Sequence, residues 1–535
     1  MDIHCEFDYI IVGAGSAGSV IANRLSSDRA NRVLLLEAGP KGHPLTSIPV
    51  SFGKLIDNPA ANWCYRSEPE ASTNQRAIPV PRGRLLGGSS AINGMVYVRG
   101  QRLDFDTWAQ LGNRGWSFDD VLPLYQRMED TVLGNEDIRG RGGPLRVTQI
   151  DDDNPLYDAM FRAATELGIP NNLDYNGLDQ EGIVRTQCTI NKGKRVSAAV
   201  AYLDPARGRA NLEIRTGALA SRVLFEGSRA SGVEYTFSGA VHTARANAEV
   251  ILCGGSINSP QLLELSGVGQ DKRLSDLGVD VVHHLPGVGQ NLRDHIAPRV
   301  VFRIEQPGMS FNRQGRGLGL IGQVIRYALK RDGLLYLPAA PLLGFVKTRP
   351  ELASPDVQYH FAPYQVVLNA GKREIGPEPA LTCTINQCRP ESRGSVHIKS
   401  LNPIEPPAIC FNFLDDELDR QTLVDGVKLV RRLVRSDAMS GICGVELQPG
   451  DGVSADEEIL EFIRNKAETV YHPAGTCRMG DDDMAVVDDE LRVRGLQGLR
   501  VADASIMPTL TSGNTNAPCM MIGEKCSDMV MSERS

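Results

Sequence analysis

The sequence has no run of about 18 uninterrupted apolar residues, the length a membrane-spanning helix needs. It also lacks a long basic run: 57 Lys and Arg against 65 Asp and Glu give a net charge of −8, which sets nucleic acid aside as a partner. None of the eleven cysteines forms a Cys-x-x-Cys pair. That argues against a disulfide framework and against a zinc or iron–sulfur site, and fits reduced thiols in a cytoplasmic-type compartment. Cys477 follows His472 by five residues, but beside the acidic loop Asp481, Asp482 and Asp483 a buried thiol is expected there and no metal. The start, Met1 to Glu6, has no basic region leading into an apolar stretch, so no secretory signal is expected. Peripheral contact with the inner membrane face stays open. Internal repeats and low-complexity linkers are missing too, so the two or more substructures that 535 residues imply are expected to be interwoven.

What is present starts with the strand-like run Phe7 to Val12, which meets Gly13-Ala14-Gly15-Ser16-Ala17-Gly18. Gly13 permits a tight turn, Gly15 lets backbone approach a pyrophosphate, and Gly18 lets the next helix lie against the strand. A second strand, Arg32 to Glu37, completes a βαβ unit. Glu37 stands 19 residues after Gly18, where a carboxylate accepts both ribose hydroxyls of an adenosine and repels a 2′-phosphate. A second glycine-rich stretch, Gly317 to Gly322, has neither a buried strand before it nor an acid-terminated strand after it, and reads as a loop entering a helix. Glu249 to Gly255, followed by Ser259 to Leu265, repeats the strand–glycine–helix grammar, which points to an α/β, Rossmann-like sheet. Leu212 to Arg215, Arg222 to Phe225 and Gly232 to Tyr235 predict an antiparallel meander flanking the adenine end.

Three further segments carry chemistry. Gly83 to Gly94 crowds paired glycines, two serines and an amide into a dozen residues, a loop able to turn backbone N–H groups toward a large polar cofactor. His472 sits between Tyr471 and Pro473. In the tail, the strand Leu499 to Val501 leads to Asp503. Beyond it Asn516 is expected as an N-cap with Pro518 in the first turn, aiming a helix N-terminus at the preceding loop. The substrate wall is expected between about 301 and 460, with Tyr359 and Phe361 on the strand Val357 to Phe361 and Tyr471 nearby as contacts. The proline-rich stretch around 63–90 reads as a lid.

The fingerprint, the segment Gly83 to Asp106, the segment Gly255 to Gly269 and the tail Tyr471 to Lys525 together resemble the glucose-methanol-choline (GMC) family of FAD-dependent oxidoreductases. The resemblance implies an FAD-binding domain over 1–155, 210–300 and 465–535, and a substrate domain over 156–209 and 301–464, built on a mostly antiparallel sheet with helices. It makes His472 the catalytic histidine and Asn514 its partner. Asn93 and Asp503 become cofactor contacts and Val223 an adenine-side contact. The cofactor set is completed by Ser16, Ala17, Ala38, Arg84, Gly87, Gly88, Ser89, Gly94, Met95, Val96, Gly254, Ala504, Thr515 and Asn516 beside the fingerprint glycines. Ile92 stands where some relatives carry a histidine bonded to the flavin, so FAD is expected to be held noncovalently.

The reaction implied is oxidation of an alcohol by hydride transfer to flavin N5, with neutral His472 taking the hydroxyl proton and Asn514 orienting the alcohol oxygen. A helix near Ala517 would favour negative charge on the cofactor ring. A choline-like cation calls for a desolvated carboxylate or an aromatic cage. Residues 357–369 offer no acid, so a neutral primary alcohol of polyol, ketose or glycol type is expected. A quinone or other acceptor is favoured over oxygen. An oxidase, a choline dehydrogenase and a non-redox FAD-containing lyase are the alternatives. A nicotinamide dehydrogenase would leave the Gly87 and Asn516 segments without a role.

Overall fold

Residues 9–12 and 33–36 are apolar and almost fully buried, as strands covered on both faces must be. In the computed structural model, which describes residues 5–369 and 372–533, they form the centre of a seven-stranded sheet. Residues 1–4, where no secretory signal was expected, lie outside the described residues. The strand order is Leu212–Thr216, Val33–Glu37, Cys5–Val12, Ala240–Leu252, Arg229–Phe237 and Ala218–Glu226, with Leu499–Val501 also pairing in parallel with Ala240–Leu252. The expected meander is corrected at one end. Leu212–Thr216 runs parallel beside Val33–Glu37, and only the three strands from Ala218 to Leu252 are antiparallel.

The helix Ser16–Leu25 packs on this sheet and against the C-terminal helix Asn516–Ser532. Gly523 permits that approach, because a Cβ there would come within 2.8 Å of the Ala17 carbonyl oxygen. An ion pair at 2.7 Å from Arg24 to the buried Glu524 ties the two helices. Residues 196–206 also pack in this first core rather than with the substrate part.

A second, six-stranded sheet is antiparallel, in the order Cys443–Gln448, Arg299–Ile304, Ala380–Gln387, Val357–Ala362, Leu342–Val346, Gly182–Arg185. It shares a second core with the helices Pro155–Glu166 and Glu417–Val434. The proline-rich segment forms a short antiparallel pair, Tyr65–Arg66 with Pro79–Val80, and buries Tyr65 and Val80 in the second core. The second glycine-rich stretch opens the helix Gly317–Lys330. Among the described residues no helix is long and apolar enough to cross a membrane.

Candidate active site

A cavity of about 1770 Å³ runs between the sheets, well above the roughly 300–1,000 Å³ of ordinary small-molecule sites. One end is lined by Glu37, Ala38 and Ala218 to Ala220, the middle by Gly13, Gly15, Ser16, Ala17, Gly88, Ser89 and Gly254, and the far part by Asn93, Gly94, Met95, Val96, Tyr471, His472, Asp503, Ala504, Asn514, Thr515 and Asn516.

The middle is a cradle of bare backbone. Gly13 has φ +104°, and a Cβ on it would lie 2.4 Å from the Cys253 carbonyl oxygen. A Cβ on Gly88 would lie 2.7 Å from Gly15 Cα, so the two glycine turns meet across the cavity wall without side chains between them. Gly18 and Gly87 act behind this surface. Gly18 packs against the Gly13 carbonyl, and the Gly87 N–H donates to Ala14 O at 2.8 Å. Arg84 stands off the cavity with its guanidinium 4.8 Å over the Trp63 ring.

Glu37 accepts the N–H groups of Ala14 (3.1 Å) and Gly39 (2.8 Å), and burial pushes its carboxyl up to about 7. A carboxylate has about four lone-pair sites, so two remain for a ribose. Asn93 is held by Arg195, whose guanidinium donates to its Oδ1 at 2.6 Å. Asn516 is the first helical residue and Thr515 the cap position, which corrects the expected N-cap; Asn516 Oδ1 instead accepts the Ser16 hydroxyl at 2.8 Å. Asp503 is taken up by Gly255 N–H (2.8 Å), the Ser259 hydroxyl (2.6 Å) and Ser505 N–H (2.8 Å). These groups fit a dinucleotide: backbone without Cβ at the phosphates and a buried acceptor at the ribose.

Beyond Gly18, Arg84 and Gly87, three more expected contacts lie off the cavity. Val223 is buried, with its N–H given to Ser266 Oγ at 2.8 Å. A bulge between Ala220 and Arg222 resets the strand and leaves Ala218 to Ala220 on the cavity. Tyr359 and Phe361 point into the second core, where the Tyr359 hydroxyl donates to Gly426 O at 2.9 Å. Because strand side chains alternate, Gln358 and His360 occupy the other face, toward Asn514 and the cavity.

At the far end three buried-ring histidines converge. Asn514 Nδ2 lies 3.0 Å from His472 Nε2, His472 Nδ1 lies 3.0 Å from His295 Nδ1, and His295 Nε2 lies 3.0 Å from the Cys388 carbonyl oxygen. A carbonyl only accepts, so His295 carries its proton on Nε2 and offers the Nδ1 lone pair. His472 then donates from Nδ1, which leaves its Nε2 lone pair facing the cavity. Gln358 Nε2 donates to Asn514 Oδ1 at 3.1 Å, turning the Asn514 amine toward His472. Burial lowers His295 and His360 to about 4 and His472 well below its ordinary value, where His295, His360 and Arg82 add repulsion. His472 is therefore neutral at neutral pH.

Asp294 clamps the two chain segments. Its Oδ1 accepts the N–H groups of His295 and His472, both at 2.8 Å, and its Oδ2 accepts the Thr469 hydroxyl. Tyr471, at φ +75°, is held in that left-handed turn by its N–H to Thr469 Oγ1 (2.8 Å) and by the Arg82 guanidinium on its carbonyl. Asp294, His295, Gln358 and His360 are the site residues that sequence reasoning missed. An acid–histidine pair and two alternating polar residues on otherwise apolar strands were the available signals.

Models of the GMC oxidoreductase family match residues 7–297 and 390–523. The chain is 42% identical to an oxygen-dependent choline dehydrogenase of Escherichia coli (strain K12), covering 99% of this chain and 96% of the relative. Among solved structures it resembles pyridoxine 4-oxidase from Mesorbium loti (TM-score 0.88, 32% identity, 98% of both chains). It also resembles formate oxidase from Aspergillus oryzae RIB40 (TM-score 0.90, 26% identity, 100% and 99% of the two chains).

Proposed function

The chain belongs to the GMC oxidoreductase family and is an FAD-dependent oxidoreductase acting on alcohols, and we propose that it is a dehydrogenase that oxidises a neutral primary alcohol to the aldehyde, with His472 as base and an acceptor other than oxygen. The observation that carries this reading is the chain Cys388 O, His295, His472, Asn514, which leaves one unprotonated imidazole nitrogen at the cavity. FAD, when bound along the glycine cradle, supplies the hydride acceptor. The residues supply the rest. An alcohol entering beside Asn514 takes over the Nε2 lone pair of His472 through its hydroxyl, and the Asn514 amine turns to the alcohol oxygen. Proton removal at Nε2 needs no prior deprotonation because His472 is already neutral. His360 also lines the cavity, and its Nε2 is buried without a hydrogen-bond partner.

The cavity walls decide between substrate classes. Glu468 is paired with Arg299 at 2.8 Å and Arg373 at 3.4 Å, and Asp57 with Arg373 at 3.4 Å, so these carboxylates are already neutralised for a cationic substrate. Toward the mouth Phe311, Leu320, Val324, Leu334, Val366 and Leu368 put apolar surface on the lining, beside the polar Arg316, Gln365 and Glu374. A hydroxyl-rich polyol would lose hydrogen bonds there. The walls thus favour a neutral primary alcohol with an apolar substituent over the polyol expected from sequence.

For the acceptor, the relative at 42% identity is named an oxygen-dependent choline dehydrogenase, and together with the likeness to pyridoxine 4-oxidase that makes an oxidase the second reading. Turnover on an alcohol panel in air, with and without a dye acceptor, separates them: dye-dependent turnover supports the dehydrogenase, and stoichiometric hydrogen peroxide without dye supports the oxidase. Choline oxidised in preference to every neutral alcohol would overturn the substrate reading.

A further inference from the structure

The helix Gly317–Lys330 buries only Tyr327, although its apolar residues are numerous. Leu318 is 87% exposed, Leu329 79%, Ile321 56% and Ile325 55%. At 100° per residue these four fall within one arc of about 80°. The opposite side anchors the helix. The Tyr327 hydroxyl donates to Gly193 O at 2.8 Å, and Gln323 Oε1 accepts the Leu334 N–H at 2.9 Å. A neighbouring hairpin, Val366–Asn369 with Lys372–Ile375, adds exposed Val366 and Leu368, and Arg316 joins its base by donating to Ile375 O. A surface helix of a globular protein normally turns its apolar stripe inward; this one turns it out.

The charge around the stripe is predominantly positive. Residues 306–331 hold Arg313, Arg316, Arg326, Lys330 and Arg331 and no Asp or Glu, in a chain whose net charge is −8. Asp332 pairs with Arg326 at 2.7 Å, and Glu374 is the acid of the hairpin; four cations of the segment remain beyond that pair. Arg316, Leu320, Val324, Val366 and Leu368 also form the rim of the cavity. The whole surface lies in residues 298–389, between the two stretches that the family models match.

We propose that this surface docks on an anionic lipid bilayer, with the helix lying in the headgroup plane, Leu318, Ile321, Ile325 and Leu329 below it, and the cavity opening toward the lipid. Fourteen residues span about 21 Å, short of the roughly 30 Å hydrocarbon core, so the helix lies on the membrane and does not cross it. A second copy of the chain fits less well, because an isologous contact would set the cations of this face against themselves, whereas anionic headgroups supply the opposite sign. The inference stands apart from the alcohol assigned above.

The test is co-sedimentation of the FAD-loaded full chain with vesicles of phosphatidylcholine alone or mixed with phosphatidylglycerol. Binding is expected to the mixed vesicles and to weaken with salt, and Arg313→Gln with Lys330→Gln should lower it by about fivefold per charge. Ile321→Asp with Ile325→Asp should reduce partitioning by more than about tenfold, while flavin absorbance and dye-linked turnover on a water-soluble alcohol stay at parental levels. Leu318→Gln with Leu329→Gln serves if the aspartates prevent folding. Failure of the parent to bind mixed vesicles overturns the proposal. So does equal binding by the folded variants, or a parental dimer in sedimentation velocity that these substitutions dissociate.

Discussion

Replacing His295 with leucine removes the group that keeps the His472 proton on Nδ1, without touching the cavity lining. The structure sets the size of the effect. His295 stays neutral in any ordinary assay, since burial lowers it to about 4, and its Nε2–H is committed to Cys388 O. Its Nδ1 is thus an acceptor at all working pH values. In the leucine variant the reactive tautomer of His472 holds a buried Nδ1–H without a partner, at a cost of about 1–3 kcal/mol. The other tautomer escapes this cost by placing the proton on Nε2, where Asn514 Oδ1 or the alcohol oxygen can accept it, but it is no base. The reactive fraction should fall about 5- to 150-fold, and anaerobic flavin reduction followed by stopped flow should slow by the same factor, with FAD content unchanged. His295→Gln keeps an acceptor oxygen near the same place and should recover part of the loss. A leucine variant reduced at the parental rate, or leucine and glutamine variants slowed equally, would refute the tautomer argument.

Three other outcomes follow from the same geometry. Denaturation should release free FAD into the supernatant, because Ile92, buried at the cavity wall, has no atom able to bond the flavin; yellow precipitate would contradict this. Glu37→Ala should weaken FAD binding by about 5- to 150-fold, the worth of about 1–3 kcal/mol for a buried acceptor, and unchanged affinity in a fluorescence titration would mean the ribose lies elsewhere. Because a base acts in its neutral form and burial lowers His472 below 6.5, the reduction rate should be flat above about pH 6.5 and decline only at lower pH; an acid limb centred above 6.5 would show that burial does not govern this group.

The parts of this site that were legible in the sequence are local ones. Gly13, Gly15, Gly18 and Glu37 announce themselves because the turn, the helix and the acid lie within one βαβ unit. Tyr359 and Phe361 were assigned to the wrong face because period-two alternation defines two faces without saying which meets the cavity; the polar Gln358 and His360 between them mark the cavity side. Val223 was displaced by a bulge, which no composition reveals. His295 and Asp294 meet His472 across 177 and 178 residues of chain, so their role exists only once the strand Ile296–Ala297 pairs with Glu468–Thr469. The outward stripe of Gly317–Lys330 was likewise hidden, since periodicity shows an apolar face but not whether anything covers it.

The central claim is that His472 Nε2 takes the alcohol proton. Its most direct test is anaerobic mixing of the FAD-loaded His472→Ala protein with a primary alcohol that bleaches the parent, with flavin absorbance followed from pH 6 to 9. The account predicts a protein that is still yellow at the parental FAD content and is reduced about 10²- to 10⁴-fold more slowly. Reduction at the parental rate would contradict it and remove His472 from the reaction.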